Sequence, residues 1–148
     1  MNLKPRVLGL DYGEKRIGVA VTDPLYLIAQ GLGYIDNKNM LHIVKELKAY
    51  LDKYQVATLV VGLPLGLEGE DTKQTKKTRA FLAQIKDKII CEIVFHDESF
   101  TSRDAHAVMI QVGMSRKKRK GKIDALAAQL MLQSYMDSYP SHTPIDRG

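Results

Sequence analysis

The 148-residue sequence contains one cysteine, Cys91, and therefore cannot form an internal disulfide. This excludes the disulfide-stapled secreted domains and favours a reducing, cytoplasmic environment. Long apolar runs are also absent. Residues 7–10 end at an aspartate, and the apolar stretch at residues 123–132 is interrupted by Asp124 and Gln129. Both runs are too short for a signal-peptide core or a membrane span, so we expect a cytoplasmic protein with no membrane association.

Several catalytic signatures are missing. The chain has no Walker A loop, no G-x-G-x-x-G loop, no H-E-x-x-H motif and no G-x-S-x-G turn. Its four histidines are scattered without the spacing of a zinc site. The Asp-x-Gly at residues 11–13 also occurs in sugar-kinase and actin-like ATPases. Those enzymes need two lobes around the nucleotide, and the length here supplies one domain.

The positive charge is concentrated in one segment. The chain has 22 Lys plus Arg and 17 Asp plus Glu, a net charge of +5. Without the six cations of residues 116–122, 16 basic residues would face 17 acidic ones. The segment is interpreted either as a mobile basic surface loop or as a contact to the phosphate backbone of nucleic acid. Its cations are Arg116, Lys117, Lys118, Arg119, Lys120 and Lys122.

The spacing of apolar residues predicts an α/β fold. Alternation and turn residues place strands at 7–10, at 16–22 and within 27–35, and continuous apolar runs add strands at 57–61 and 89–95. Helical spacing predicts helices at 39–54, 71–86, 101–112 and 122–138. Short turns make the first three strands antiparallel, and helical crossovers make the later ones parallel. We expect a mixed five-stranded sheet flanked by helices in one domain, residues 1–139, with an unstructured tail at 140–148.

Three carboxylates stand where stability alone would not place them. Asp11 ends an apolar strand, Glu98 follows a buried strand, and Asp124 opens a helix that is apolar almost all round. Each also has a local interpretation, as a turn residue, an exposed loop residue and a helix N-cap respectively. Because sites in α/β sheets gather at the carboxyl ends of strands, we expect the three to converge there.

Converging carboxylates repel one another unless a cation lies between them. Oxygen ligands without histidine or cysteine suit Mg²⁺ or Mn²⁺ rather than Zn²⁺. Two such ions, about 3.5–4 Å apart, stabilise both the attacking and the leaving oxygen in a phosphoryl displacement. The pattern therefore predicts a metal-dependent phosphodiesterase whose basic segment, just before Asp124, holds a polyanion.

Four blocks of the chain, in order, resemble the YqgF (RuvX) family of RNase H-like proteins. They read GLDYG and RIGVA at 9–13 and 16–20, VVGLP at 60–64, DE with TS at 97–98 and 101–102, and KIDALAA at 122–128. The resemblance implies an RNase H-like fold and a metal-dependent nuclease. It also implies that Asp11, Glu98 and Asp124 are the catalytic and metal-binding residues.

The resemblance further implies a substrate. The family is linked to maturation of the 5′ end of 16S ribosomal RNA and, in earlier descriptions, to resolution of Holliday junctions. Expected partners are precursor ribosomal RNA, with branched DNA and ribosomal particles as further candidates, bound by a monomer or homodimer. A non-catalytic RNA-binding factor in ribosome assembly remains an alternative.

One residue departs from the family pattern. Ser99 stands where the family usually has arginine after the Asp-Glu pair. If that arginine contacts substrate phosphate, Arg103 or Lys15 would have to replace it here. The expected nucleic-acid-binding set therefore consists of Lys15, Arg16, Arg103 and the six cations of residues 116–122.

Overall fold

The computed structural model describes residues 5–97 and 116–138, with the side chains of the second range described from Lys122 onward. The elements follow one another as β1 (Arg6–Asp11), β2 (Arg16–Thr22), β3 (Ala29–Asp36), α1 (Met40–Lys53), β4 (Val56–Leu63), α2 (Lys73–Ile85), β5 (Glu92–Asp97) and α3 (Arg116–Ser138). The helix expected at 101–112 and the tail expected at 140–148 lie outside the described residues.

The five strands form one mixed sheet in the order β3-β2-β1-β4-β5. Short connections make β2 antiparallel to both β1 and β3. Helices α1 and α2 carry the chain back, so β4 runs parallel to β1, and β5 runs parallel to β4. The predicted sheet is therefore confirmed, and the carboxyl ends of β1, β4 and β5 lie at one edge.

One face of the sheet is covered by α1 and α2. Large aliphatic residues at alternate strand positions point to this face, which is how a period of two sorts side chains between faces. The two helices bury apolar stripes at helical spacing against them. This core includes Leu8, Leu10, Ile17, Val19, Val21, Leu59, Val61, Ile43, Leu47, Phe81, Leu82 and Ile85.

The other face lies against α3 and has glycines where the helix comes closest. A Cβ atom added at Gly9 would be 3.1 Å from Leu132 Cβ, and one added at Gly31 would be 3.1 Å from the Ala125 carbonyl oxygen. At Gly18 it would lie 2.0 Å from the Asp124 carbonyl oxygen, far inside contact distance. Glycine at these positions is what lets the helix backbone approach the sheet.

The start of α2 is fastened to the end of β4. Thr72 and Thr75 form a capping box, in which each hydroxyl accepts a hydrogen bond from the other residue's backbone N–H. Both hydroxyls donate to the Pro64 carbonyl oxygen, at 3.1 and 2.7 Å. These bonds place the first turn of α2 beside the carboxyl edge of the sheet.

Two elements begin three or more residues away from their predicted starts. The strand expected at 89–95 is Glu92–Asp97, because Ile89 still belongs to the turn that follows α2. The basic segment is not a loop: α3 begins at Arg116, so residues 116–122 form its first turns. Lysine and arginine have good helix propensity, and no proline interrupts the segment.

The N-cap interpretation of Asp124 is therefore also wrong. Asp124 lies eight residues inside α3, in its third turn, whereas an N-cap precedes the first turn. In the part of the chain that the structure describes, none of the helices combines the length and apolar character needed to cross a membrane.

Candidate active site

Asp11 lies on the face of the sheet that α3 covers. It is the last residue of β1 and pairs with Gly18 of β2. Directly paired residues of antiparallel strands point to the same face. Gly18 faces α3, since its missing side chain would meet the Asp124 carbonyl group. The register therefore directs the Asp11 side chain toward α3.

Asp124 is brought to the same place by the helix. Its backbone lies directly over Gly18, and its partly buried carboxylate accepts a hydrogen bond from Arg16 Nε at 2.5 Å. Gly18 thus has Asp11 beside it in the sheet and Asp124 above it in the helix. Two of the three predicted site carboxylates share one face at the carboxyl end of β1.

Arg16 is the counter-charge of Asp124. Burial raises the pKa of the Asp124 carboxyl, and the hydrogen bond and positive charge of Arg16 oppose that rise. The guanidinium carbon of Arg16 also lies 5.9 Å from the centre of the Tyr34 ring. We expected Arg16 to bind the nucleic-acid backbone, and the structure places its guanidinium on a site carboxylate.

Tyr34 belongs to this cluster and was not predicted. It pairs with Gly18 from β3, so it points to the same face as Asp11, and 43% of it is exposed. Its pairing with Gly18 depends on the register between β2 and β3, which shifts by one residue at an irregularity after Val19. Alternation from Ile35, an apolar residue of the α1 face, is the signal that could have placed it.

His96 marks the β5 side of the site. Leu10 pairs with Val61 and Gly62 with His96, so β1, β4 and β5 end at nearly the same level. The His96 ring faces α3, where Nε2 lies 3.0 Å from Ser134 Oγ. Burial lowers the pKa of His96, against the nearby charge of Asp97.

The structure describes some of the remaining predicted site residues and not others. Lys15 is exposed in the turn between β1 and β2, a few residues from Asp11, and Lys122 is exposed on α3. The other five cations of the basic segment lie in the first two turns of α3. Glu98, Ser99 and Arg103 lie outside the described residues, so their place in the site stays a prediction.

Carboxylate oxygens are the ligands that hard divalent cations prefer. Asp11 and Asp124 offer carboxylate oxygens on one face, and Arg16 already contributes positive charge there. Within residues 5–97 and 116–138, no three His, Cys, Asp or Glu side chains are grouped so as to hold a metal ion. The third predicted ligand is Glu98, the residue immediately after β5.

Comparison with known proteins identifies relatives over nearly the whole chain. A relative from Clostridium acetobutylicum is 43% identical over 133 residues, covering 90% of this chain and 98% of the relative. One from Halothermothrix orenii is 38% identical over 132 residues, covering 89% and 94%. Both bear the name "Putative pre-16S rRNA nuclease".

Solved structures share the fold at low sequence identity. RuvC of Thermus thermophilus, in complex with a Holliday junction substrate, matches with a TM-score of 0.53 and 15% identity over 92% of this chain and 97% of that one. The Holliday junction resolvase of fowlpox virus matches with a TM-score of 0.51 and 13% identity, over 90% and 98%. These similarities confirm the expected RNase H-like architecture.

The model of one protein family, RuvX, described as Holliday junction resolvase, matches residues 5–138. This match spans all four sequence blocks and both described site carboxylates. The chain therefore belongs to the RuvX family.

Proposed function

We propose that this protein is a metal-dependent nuclease that processes the 5′ end of the 16S ribosomal RNA precursor. The observation that carries this proposal is the placement of the Asp11 and Asp124 carboxylates on one face, at the carboxyl end of β1. Relatives named as nucleases and the family match confirm the expectation of a phosphodiester hydrolase. One nuclease domain, residues 1–139, would carry the activity in the cytoplasm.

In this proposal the acidic residues hold the metal, and Arg16 positions Asp124. Asp11, Asp124 and Glu98 would hold Mg²⁺ or Mn²⁺, which activates the attacking water and stabilises charge on the phosphate when bound. Arg16 holds the Asp124 carboxylate in place through its Nε hydrogen bond. Because Asp124 is partly buried on a helix packed against the sheet, its position is set before substrate arrives.

The cations around this edge would bind the substrate backbone. Lys15 lies in the turn that follows Asp11, and residues 116–122 lead along α3 toward Asp124. Together with Arg103 they would contact successive phosphates, so binding should weaken steeply as salt increases. Arg16 donates its Nε–H to Asp124, so we assign it first to the carboxylate.

Holliday junction resolution is the second candidate, favoured by the description of the family model. It differs from RNA processing in what it demands of the assembly. A four-way junction needs two symmetric cuts and therefore a homodimer, whereas one RNA end needs one site and a monomer suffices. Ribosomal particles are the expected partner in the first case and branched DNA in the second.

The test compares both substrates directly. Purified protein would be incubated with Mn²⁺ or Mg²⁺ and either a 16S precursor 5′-end RNA or a synthetic four-way DNA junction. Asp11→Asn removes a site carboxylate at nearly constant volume. Asp87→Asn is the matched control, since Asp87 is exposed in the turn after α2, at the opposite edge of the sheet.

We expect metal-dependent cutting of the RNA by the wild type and by Asp87→Asn, and at least a hundredfold loss in Asp11→Asn, the order typical of removing one essential electrostatic group. Cutting of the junction alone would favour the resolvase. Cleavage that persists in Asp11→Asn would refute the assignment of the site. Binding of RNA with no cutting by the wild type would favour the assembly factor.

A further inference from the structure

A cavity lies on the face of the sheet opposite the Asp11 side chain. It has a volume of about 260 Å³ and opens between the β1–β2 turn, α1 and α2. Its lining includes Tyr12, Asn37, Asn39, Ala80, Phe81 and Gln84. None of these residues belongs to the predicted site, and they come from the β1–β2 turn, the connection between β3 and α1, and α2.

The cavity begins one residue from the carboxylate site. Tyr12 follows Asp11, so their Cα atoms are about 3.8 Å apart. Asp11 points to the α3 face and Tyr12 to the other face, where its ring centre lies 4.6 Å from that of Phe81. The cavity therefore opens at the same edge of the sheet as Asp11, on the opposite face.

The walls of the cavity are held in place by hydrogen bonds. Asn37 Nδ2 donates to the Gly13 carbonyl oxygen at 2.9 Å, and Gln74 Nε2 donates to that of Tyr12 at 3.3 Å. Lys77 bonds to Glu14 across the same opening. These contacts tie the β1–β2 turn to α2 and to the segment before α1, so the cavity is built without a ligand.

The lining chemistry suits an uncharged planar ring. The Tyr12 ring, backed by the buried Phe81, provides an aromatic wall. At the rim, Asn39 offers its side-chain NH₂ donors, since its oxygen caps α1, and the Gln84 carboxamide offers donors and an acceptor. The one cation in the lining, Lys77, is neutralised by Glu14. A phosphate would find little net charge here, whereas a heteroaromatic ring with a hydrogen-bonding edge would find stacking and pairing groups.

We propose that this cavity binds one unpaired nucleobase of the substrate strand, next to the phosphate at Asp11. This inference rests on the proposed nuclease function and adds a substrate requirement to it. A base within a duplex is stacked and paired and cannot enter a side pocket, so the site would select single-stranded sequence beside the cut.

Two matched variants test the proposal. Ala80→Trp adds a large ring at a residue that lines the cavity, and Ala83→Trp adds the same ring at an exposed residue of α2 outside it. The chain contains no tryptophan, so emission from the introduced ring reports its surroundings. A shorter emission wavelength at position 80 than at position 83 verifies that the cavity is filled.

Binding would be measured by anisotropy of labelled RNA without divalent metal. Base stacking on an aromatic side chain accounts for about a 5- to 150-fold change in affinity. We expect Ala80→Trp to weaken binding of single-stranded RNA at least fivefold and to leave binding of a fully paired duplex unchanged. Ala83→Trp should match the wild type on both. Equal single-strand affinity for the two variants would overturn the proposal.

A direct probe separates this proposal from the nuclease assignment. Wild-type protein would be titrated with a nucleoside monophosphate and, separately, with ribose 5-phosphate, while the side-chain amide NMR signals of Asn39 and Gln84 are followed. Shifts with the nucleotide alone support the base site, even if the protein cleaves neither substrate. Equal shifts with both ligands, or none, overturn it even if the nuclease is active.

Discussion

Replacing Gly18 by alanine should push α3 away from the sheet. The new Cβ would lie 2.0 Å from the carbonyl oxygen of Asp124 and 2.7 Å from its carbonyl carbon. A carbon–oxygen contact normally needs about 3.3 Å or more. The helix must therefore move by more than about 1 Å, carrying Asp124 away from Asp11.

The loss of stability depends on whether the atoms around the new Cβ can move. Overpacking costs about 1–3 kcal/mol when neighbours can rearrange. Here the obstacle is main chain in a packed helix, so we expect about 3 kcal/mol. Alanine also restricts the unfolded chain, which stabilises the folded state by about 0.4–1 kcal/mol. The free energy of unfolding should fall by about 2–3 kcal/mol, and Tm by about 5–10 °C for a chain of this size.

Gly9→Ala is the matched control. Its Cβ would lie 3.1 Å from Leu132 Cβ and 3.2 Å from Met131 Cε, and these side chains can shift by a few tenths of an ångström. We expect a change within about 1 kcal/mol. Urea unfolding followed by circular dichroism would measure both variants. If Gly18→Ala proved as stable as Gly9→Ala, the close contact between α3 and β2 would be refuted.

Two further predictions concern carboxylates. Burial raises the pKa of Asp124, so its charged form lowers stability at pH 7. Asp124→Asn should therefore change the free energy of unfolding by no more than about 1 kcal/mol, and it should abolish cleavage. The wild type should gain stability relative to this variant as pH falls from 7 toward about 4, and a constant difference in urea titrations would contradict the raised pKa. Burial opposes ionisation of Asp23, but hydrogen bonds from the backbone N–H groups of Ile28, Leu27 and Leu25 lower its pKa. Asp23→Ala should therefore lower the free energy of unfolding by about 0.5–2 kcal/mol at pH 7. This difference should disappear at pH values below the usual pKa range of a carboxyl group. Equal urea midpoints for the two proteins at pH 7 would contradict the prediction.

The sheet could be predicted because its signals are local. The bounds of β2 follow from alternation between Arg16 and Thr22, and the direction of each strand follows from whether a turn or a helix precedes it. The start of α3 could not be predicted from charge. Repulsion among residues 116–122 argued for a loop, while the helix propensity of lysine and arginine favoured the observed helix.

The sequence singles out Asp11 and Asp124 as candidate site residues, but it does not reveal the contacts around them. Asp11 is recognisable because a carboxylate that ends an apolar strand is unusual. The bond between Arg16 and Asp124 joins residues 108 positions apart, and no spacing rule connects them. The cavity beside Tyr12 is likewise assembled from a turn and two helices, so only the folded chain brings its lining together.

The division of the site between sheet and helix has a dynamic consequence. Asp11 belongs to β1 and Asp124 to α3, so a local opening that lifts the helix would separate the carboxylates while the sheet stays folded. A cation that bridges both would bind only the closed form and would draw the equilibrium toward it. Amide hydrogen exchange in α3 would then slow as metal is added. The exchange rate would therefore measure the fraction of molecules in which α3 is lifted and the two carboxylates are apart.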